Sequence, residues 1–309
     1  MGRISVDVYP DQVGVSLREV TSFGKYLGGS PTNVAVAAAR YGRRSAVITR
    51  TGDDPFGAYL HDALLGFGVD DRYVLPVPGA ATPVTFCEMF PPDDFPLYFY
   101  RGAKAPDLQI AADDLDEQAI RDAGVLWVTV TGLSQQPSRD ATMRALQVRG
   151  RRGTTVLDLD YRPMFWPSRE EAREAVAQAL PLVTVAVGNL DECETAVGVR
   201  EPQAAARAVR AAGVGLAVVK QGPAGVLASR ADEEVVVPPV PVEVVNGLGA
   251  GDAFGGALCH GLLSGWGLER SMRFCNAAGA IVASRLSCAD AMPSTAEVDR
   301  KLEEATLRA

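Results

Sequence analysis

A carboxylate placed directly after three small residues is the most informative feature of this 309-residue sequence. In "NGLGAGDAF" (246–254), Gly249, Ala250 and Gly251 precede Asp252 at the start of a helix-like run. A helix N-terminus carries unpaired N–H groups and the positive end of the helix dipole, so small residues there let an anion contact the backbone. A carboxylate beside a phosphate would repel it, unless the carboxylate accepts the proton of a hydroxyl that attacks phosphorus. The pattern therefore predicts phosphoryl transfer with Asp252 as the base, and a plain helix cap with close packing is the alternative.

Two other phosphate-binding motifs are excluded. The dinucleotide pattern G-x-G-x-x-G, started at Gly247, meets Asp252 where its last glycine should be, and the pattern G-x-x-x-x-G-K-[ST] is absent from the sequence. The first result argues against a dehydrogenase.

A second glycine-rich stretch lies near the start, in "YLGGSPTNVAVAAARYG" (26–42). Gly28 and Gly29 would let a ligand approach the backbone, and Asn33 offers a donor and an acceptor to a hydroxyl. A glycine turn before an ordinary N-capped, Ala-rich helix is the alternative, and this stretch alone favours it.

A third group of polar residues follows a strand-like run, in "VGNLDECE" (187–194). Asn189 and Glu192 are three residues apart and share one face of a helix. Their oxygens suit Mg²⁺, which keeps several waters and is rarely enclosed by protein alone. An N-cap Asn followed by first-turn acids explains the same residues equally well.

A fourth group lies in "LDLDYRPMFW" (157–166), where Asp158, Asp160 and Arg162 follow a strand-like run. Ligands bind at this end of the strands in open α/β sheets. A period of two would put all three on one face of the strand, and a surface salt-bridge ladder is the alternative. Arg101 is the last residue of "YFYR" and is a further candidate for ligand binding, with an ordinary solvated arginine as the alternative.

The elements that must position these residues alternate between strand-like and helix-like runs, which predicts a doubly wound α/β fold with a mostly parallel sheet covered by helices on both faces. We expect one domain over 1–309, with a small antiparallel β lid formed by segments of about 8–28 and 82–101. The lid is also a candidate dimer contact. The predicted strands are 45–52, 125–132, 154–162, 183–189 and 216–222, and the predicted helices are 56–68, 138–150, 170–180 and 202–213.

Composition limits the classes of partner. The net charge is −8 and the pI is about 5.0, without a basic block, which argues against nucleic acid and anionic membranes as partners. The start lacks a long apolar signal core, and no apolar run is long enough to span a bilayer. Five scattered cysteines, none in C-x-x-C, indicate reduced thiols and a cytoplasmic protein.

Taken in order and spacing, several motifs resemble the ribokinase-type (PfkB) family of sugar kinases along nearly the whole chain. They are "GGSPTNVAVAAARYG", "TRTGDDPFG", "DLDYRPMFW", "NLDE", "KQGPAGV", "NGLGAGDAF" and "NAAGAIVASR". The resemblance implies ATP as the phosphoryl donor, Mg²⁺ as the cofactor, Asp252 as the catalytic base, and Gly249, Ala250 and Gly251 as the anion hole. It also implies that sugar hydroxyls are held by Asp7, Gly28, Gly29 and Asn33, that Mg²⁺ is organised through water by Asn189 and Glu192, and that the nucleotide is contacted by Lys220, Gly222, Gly225 and Asn276.

One branch of the family is resembled more closely, through "TRTGDDPFG", "TPVTFCEMFPPDDFPLYFYR", "APDLQI", "VKQGPAGV" and "NGLGAGDAFGGALCHGL". It is the kinases of myo-inositol catabolism, which phosphorylate the primary hydroxyl of 5-dehydro-2-deoxy-D-gluconate. Arg101 and Arg162 would meet the carboxylate of such a sugar acid. A 2-keto-3-deoxygluconate kinase or a fructokinase-like enzyme is the alternative within the class, and a silent sugar- or nucleotide-binding regulator is the alternative outside it. Many family members have Asp where Asn246 stands, in a loop that binds a monovalent cation, so Asn246 weakens the expectation of potassium activation.

Overall fold

The chain forms two compact units, seen in a computed structural model that describes residues 1–308. Unit 1 comprises Met1–Gly2, Leu108–Pro239 and Gly265–Met272. Unit 2 comprises 3–107, 240–264 and the residues from 273 onward. Each unit has a β-sheet of its own.

The secondary structure of residues 1–308 follows the predicted alternation of strands and helices. The strands are β1 (Ser5–Pro10), β2 (Phe23–Gly28), β3 (Ser45–Ala46), β4 (Thr49–Gly52), β5 (Val69–Asp70), β6 (Val74–Val77), β7 (Val84–Cys87), β8 (Leu97–Tyr100), β9 (Val125–Thr129), β10 (Thr154–Asp158), β11 (Val185–Asn189), β12 (Leu216–Lys220), β13 (Val226–Ser229) and β14 (Glu234–Val237). The helices are α1 (Ser30–Arg40), α2 (Pro55–Gly66), α3 (Glu117–Asp122), α4 (Ser138–Arg149), α5 (Arg169–Ala179), α6 (Leu190–Val197), α7 (Pro202–Ala211), α8 (Ala250–Leu263), α9 (Leu268–Ala283) and α10 (Thr295–Arg308). The predicted strand 45–52 is two short strands, β3 and β4, because each pairs with a different neighbour, β5 or β6.

Unit 1 contains a six-stranded sheet with the order β14-β13-β12-β11-β10-β9. Strands β9 to β12 are parallel, and β13 and β14 extend the sheet in antiparallel fashion. The parallel strands are rich in Val, Leu and Ala and are buried over consecutive positions, as expected for strands covered on both faces. The predicted α/β class with a mostly parallel sheet is confirmed.

Unit 2 contains a four-stranded sheet with the order β2-β1-β7-β8, in which only the β1–β7 pair is parallel. The segments 8–28 and 82–101, predicted to form a lid, supply β2, β7, β8 and the end of β1. Because side chains alternate across a strand, Asp7 and Val8 of β1 lie on opposite faces of this sheet. By the strand register, Asp7 lies on one face, and the other face, called the aromatic face below, carries Phe23, Phe86 and Tyr100.

Helices α1 and α8 pack closely in unit 2 because small residues line their contact. A Cβ atom added to Gly256 would lie 2.3 Å from the Cβ of Ala37, so only glycine fits there. The close contact brings the first turns of the two helices together, and each first turn carries a residue singled out in the sequence. These are Asn33 in α1 and Asp252 in α8.

Helix hydrophobicity and the state of the cysteines are relevant to the predictions that the chain does not span a membrane and that its thiols are reduced. None of the helices within residues 1–308 is both long and apolar enough to cross a membrane. The five cysteines are buried and are free thiols in the described chain. Their burial agrees with the expectation of reduced cysteines.

Candidate active site

The turn before α8 leaves the helix N-terminus open to an anion. Gly249 is the N-cap residue with a left-handed backbone (φ 78°), and no side chain caps the first N–H groups of α8 in the described structure. Gly251 is exposed, and Gly249 and Ala250 are partly exposed. The first turn thus presents backbone donors with little side chain in the way, which suits an anion at the positive end of the helix dipole.

Asp252 lies in this first turn and is oriented by a residue of α1. The amide Nδ2 of Asn33 donates a hydrogen bond to Oδ2 of Asp252 at 2.8 Å. Asn33 is 2% exposed, and its own Oδ1 is buried without a hydrogen-bond partner among residues 1–308. The pair thus places a carboxylate in the first turn of α8, where it can accept the proton of a hydroxyl, and Oδ1 of Asn33 is a buried acceptor with unused hydrogen-bonding capacity.

Asp7 lies on the face of the unit 2 sheet opposite the aromatic face, and Gly28 and Gly29 are tightly packed near it. A Cβ atom on Gly28 would lie 2.0 Å from Cγ of Asp7. Gly29 has a φ of 101°, and a Cβ atom there would lie 2.5 Å from the carbonyl oxygen of Arg3. Glycine is therefore required by protein packing at both positions, against Asp7 at Gly28 and against the backbone of Arg3 and Ile4 at Gly29, whereas the sequence suggested only that a ligand approaches their backbone.

The Asp7 carboxyl is held in an unusual electrostatic state. It accepts hydrogen bonds from the hydroxyls of Ser5 at 2.8 Å and Tyr9 at 3.3 Å. Burial raises its pKa from 3.8 to about 6, against the lowering effects of Ser5, Arg3 and Tyr9. The charge on Asp252 adds to the increase. Asp7 is thus a carboxylate that ionises near neutral pH, which is common at functional sites.

Replacing Asp7 with Asn should stabilise the protein more at pH 8 than at pH 4. The folded-state pKa is higher than the ordinary value, so the contribution of Asp7 to stability is present below a pH of about 3.8 and is lost as the pH rises through about 6. Asn removes the buried charge, keeps an acceptor for one of the two hydroxyls of Ser5 and Tyr9, and presents an NH2 donor to the oxygen of the other. Urea unfolding should give a difference in stabilisation between the two pH values of at most roughly 3 kcal/mol. Asp299→Asn, on the surface of α10, is the control, and equal effects of Asp7→Asn at both pH values would contradict the assignment.

Two residues that the sequence analysis missed complete the surroundings of the α8 N-terminus. The Tyr9 hydroxyl and the Cys288 thiol are hydrogen-bonded at 2.8 Å, and both are buried. Burial raises the pKa of the Cys288 thiol well above its ordinary value, so it stays protonated. Cys288 packs directly against Gly249, where an added Cβ atom would lie 2.6 Å from Sγ. No short-range pattern links residues 279 positions apart, so the sequence held no signal for this contact.

Arg101 is bound within unit 2 by a carboxylate that the sequence analysis did not consider. Its Nη2 and Nη1 atoms donate to the two oxygens of Asp107 at 2.6 and 3.4 Å. Asp107 is fully buried and also accepts from the backbone N–H of Ile4 at 3.3 Å. Burial is the largest influence on both partners, raising the pKa of Asp107 and lowering that of Arg101. Arg3 adds positive charge near this pair.

Arg162 lies in unit 1 and is also paired with a buried carboxylate. Its Nη2 atom is 2.7 Å from Oδ1 of Asp160, which is 4% exposed. The backbone N–H of Asp160 donates to Oδ1 of Asp158 at 3.3 Å. β10 ends at Asp158, so the prediction that Asp158, Asp160 and Arg162 alternate along one face of a strand is wrong. The strand pairing ends there, and a short 3₁₀ helix follows at Pro163–Phe165.

Asn189 and Glu192 form a reciprocal capping box at the start of α6 in unit 1. Oδ1 of Asn189 accepts from the N–H of Glu192 at 2.9 Å, and Oε2 of Glu192 accepts from the N–H of Asn189 at 2.7 Å. Lys220 Nζ lies 3.9 Å from the same Oε2. The box explains both residues structurally. The second carboxylate oxygen of Glu192 is a hard ligand of the kind that Mg²⁺ binds together with waters. The two side chains therefore fit a water-mediated magnesium site.

The predicted nucleotide-contacting residues lie in different parts of the chain. Lys220 ends β12, and Gly222 and Gly225 lie in the turn between β12 and β13. Asn276 lies on α9, in the part of that helix that belongs to unit 2, and is partly exposed. Among residues 1–308, no cluster of three or more His, Cys, Asp or Glu side chains forms a ready metal site.

A family model, a sequence relative and two solved structures each match this chain over most of its length. Residues 1–295 match the family model described as pfkB family carbohydrate kinase. The chain is 33% identical to the 5-dehydro-2-deoxygluconokinase of Geobacillus kaustophilus (strain HTA426), over 98% of this chain and 92% of that one. Its fold is similar to an E. coli protein described as ribokinase II, solved with ATP and Mg²⁺ (TM-score 0.88, 25% identity, 98% and 97% coverage). It is also similar to a fructokinase double mutant of Vibrio cholerae O395, solved with fructose, ADP and a potassium ion (TM-score 0.86, 25% identity, 97% and 96% coverage).

Proposed function

This chain belongs to the pfkB family of carbohydrate kinases, and on that premise we propose that it transfers the γ-phosphoryl group of ATP to the primary hydroxyl of 5-dehydro-2-deoxy-D-gluconate. The observation that carries the proposal is the hydrogen bond from Asn33 to Asp252, beside an N-terminus of α8 that no side chain caps in the described structure. The similarity to 5-dehydro-2-deoxygluconokinase over 98% of this chain supports the choice of sugar acid.

The proposed chemistry follows from the groups at the start of α8. Asp252 accepts the proton of the sugar hydroxyl as its oxygen forms a bond to the γ-phosphorus, and the bond from phosphorus to the bridging oxygen breaks to release ADP. The backbone N–H groups at Gly249, Ala250 and Gly251 bind the charge that develops on the transferred phosphoryl group. Asn33 keeps the Asp252 carboxylate in place, which supports its role as a base in a fixed position.

Sugar recognition is assigned to residues of unit 2. Asp7 in its carboxylate form accepts hydrogen bonds from sugar hydroxyls, and the buried Oδ1 of Asn33 offers a further acceptor. Gly28 leaves the space that the Asp7 carboxylate occupies, and Gly29 allows the chain to pass close to the backbone of Arg3 and Ile4. This division makes Asp7 a binding residue and Asp252 the base.

Cofactor and nucleotide contacts are assigned to the remaining predicted residues. Asn189 and Glu192 would hold Mg²⁺ through water, and the ion supplies neutralisation of phosphate charge when it is bound. The nucleotide would be contacted by Lys220, Gly222, Gly225 and Asn276. The E. coli relative solved with ATP and Mg²⁺ supports both ligands for this fold.

The experiment that tests the function measures ADP release from ATP with a panel of acceptors. The panel contains 5-dehydro-2-deoxy-D-gluconate, 2-keto-3-deoxygluconate, fructose and ribose, each with Mg²⁺ and with Mg²⁺ chelated. We expect the highest kcat/KM for the first acid, and only with Mg²⁺. A higher value for another acceptor would overturn the substrate, and no ADP with any acceptor would favour a silent binding protein.

Replacing Arg162 with Ala should reduce the preference for sugar acids. We expect kcat/KM to fall about 10- to 100-fold more for the acid than for fructose, because a hydrogen bond to a charged group is worth about 1.5–3 kcal/mol. Arg152→Ala, on an exposed residue, is the matched control. Equal losses for acid and neutral sugar would remove Arg162 from carboxylate recognition.

Arg101 requires a different variant for the same test. Arg101→Ala alone leaves Asp107 uncompensated in the interior, which costs about 3–5 kcal/mol. Combining Arg101→Ala with Asp107→Asn removes both charges of the pair and separates substrate preference from folding.

We also propose that two copies pair through the aromatic face of the unit 2 sheet. Phe86 makes edge-to-face contacts with Phe23 and Tyr100, with ring centroids 5.6 and 5.3 Å apart. Phe23 is 39% exposed and Tyr100 is 65% exposed, and exposed apolar patches of this kind mark interaction surfaces. Light scattering should give the mass of a dimer, and a monomer at micromolar concentration would contradict the proposal.

The buried free thiols support residence in the cytoplasm.

A further inference from the structure

The side chain of Asn246 is fully buried, and both ends of its amide are bonded within unit 2. Its Oδ1 accepts from the backbone N–H of Leu248 at 2.9 Å, and its Nδ2 donates to the carbonyl oxygen of Leu286 at 2.6 Å. One partner is a donor and the other is an acceptor, so only this orientation of the amide satisfies both. Neither an acid nor an alkyl side chain can make the same pair of bonds.

These two bonds connect the segments that hold the start of α8. Leu248 immediately precedes Gly249, and Leu286 lies two residues before Cys288, the residue packed against Gly249. The backbone N–H groups of residues 245 and 246 also donate to the Ala283 carbonyl, at 2.8 and 3.1 Å, where α9 ends. The Asn246 amide therefore links the turn that precedes the anion hole to the segment that follows α9.

We propose that the Asn246 amide takes the place of a monovalent cation in this loop, and that Asn246 is a positioning residue for the anion hole. In relatives with Asp at this position, a carboxylate oxygen would meet the Leu286 carbonyl oxygen, and two acceptors at such a distance need a cation to hold them together. Here the Nδ2 group supplies the positive end of the bond itself. The donor set at Asn246 therefore does not fit the cation that the family implies, and activity does not depend on potassium.

This inference rests on the proposed function only for its activity readout, so its test has a second readout that needs no substrate. The wild-type protein and the Asn246→Asp variant are compared in potassium chloride and in choline chloride, at an equal ionic strength of about 0.1 M, where exposed charges are already screened. The readouts are kcat for ADP release with the best acceptor and the Tm of the protein alone. For the wild type, we expect the same kcat and the same Tm in both salts.

For Asn246→Asp, we expect low kcat in choline and recovery by about 5- to 150-fold in potassium, the usual range for coupling between two sites. The Tm of this variant should also rise in potassium. Asn246→Ala, which loses both bonds without gaining a charge, should have low kcat in both salts. Gln147→Glu, the same amide-to-acid change on an exposed residue of α4, should respond to neither salt.

The outcomes separate this inference from the proposed function. Potassium activation or stabilisation of the wild type would overturn the inference, and so would an Asn246→Asp variant that ignores potassium in both readouts. If Asn246→Asp does not fold in either salt, the wild-type comparison and Asn246→Ala still decide. If no acceptor gives ADP, the proposed function fails while the Tm comparison still tests the role of Asn246.

Discussion

Asp252→Asn is expected to lower kcat by about 10²–10⁴-fold, the usual contribution of a general base, while ATP still binds with nearly its original affinity. Asn has the shape of Asp but cannot take the hydroxyl proton at neutral pH. The Asn33 amide that donates to Oδ2 of Asp252 can donate equally to the oxygen of an asparagine, so the first turn of α8 should keep its geometry. The loss should therefore be in turnover rather than in folding.

Two measurements separate loss of the base from a general disturbance of α8. Calorimetric titration with ATP should give a dissociation constant close to that of the wild type, since the backbone donors of the first turn are unchanged. Removal of a repelling carboxylate would, if anything, tighten binding of the triphosphate. Asp299→Asn, the matched change on the surface of α10, should leave kcat unaltered. Near-normal turnover of Asp252→Asn would remove Asp252 from the mechanism.

The sequence predicted the parts of the molecule that depend on local pattern. Runs rich in Val and Leu separated by amphipathic helices are sufficient to predict the parallel part of the unit 1 sheet. A strand that is buried on both faces is apolar at nearly every residue, and this pattern is visible in the sequence. The turn at Gly249 could also be predicted, because consecutive small residues before a helix indicate a backbone that a ligand or another part of the chain approaches closely. Glycine is required there by backbone conformation as well as by packing.

The capping box at Asn189 and Glu192 shows where local pattern stops being sufficient. A spacing of three is the signature of the box, and the structure contains both of its hydrogen bonds. The same two side chains satisfy the chemistry of a water-mediated magnesium site. Position and residue type are identical in the two interpretations, so only a measurement of magnesium dependence distinguishes them.

Contacts that depend on the tertiary structure could not be predicted from local sequence patterns. The sequence favours Arg101 as a ligand for a substrate carboxylate because no local pattern indicates that Asp107, six residues on, is buried against it. The Tyr9–Cys288 contact exists only because β1 and the segment after α9 meet behind Gly249. Such pairs depend on how the whole chain folds, and the periodicity of apolar residues in the sequence does not predict them.

Gly249→Ala is the second change with a large expected effect, because two independent constraints act on this residue. Its φ of 78° is costly for any residue with a side chain, and the new Cβ atom would lie 2.6 Å from Sγ and 2.8 Å from Cβ of Cys288. Relief of this clash must move the start of α8. Displacing backbone donors of an anion hole costs about 10²–10³-fold in kcat, so we expect a loss of that size.

A matched glycine distinguishes this effect from backbone strain alone. Gly265 has a similar φ of 66°, but an added Cβ atom there meets nothing within 4 Å. Gly265→Ala should therefore lower the free energy of unfolding by about 1–2 kcal/mol, the cost of the left-handed conformation, with kcat unchanged. Adding Cys288→Gly to Gly249→Ala removes the two closest contacts and should restore part of the lost turnover. If Gly249→Ala reduces kcat no more than Gly265→Ala does, the N-terminus of α8 is not the anion hole, because its geometry would then have changed without consequence for catalysis.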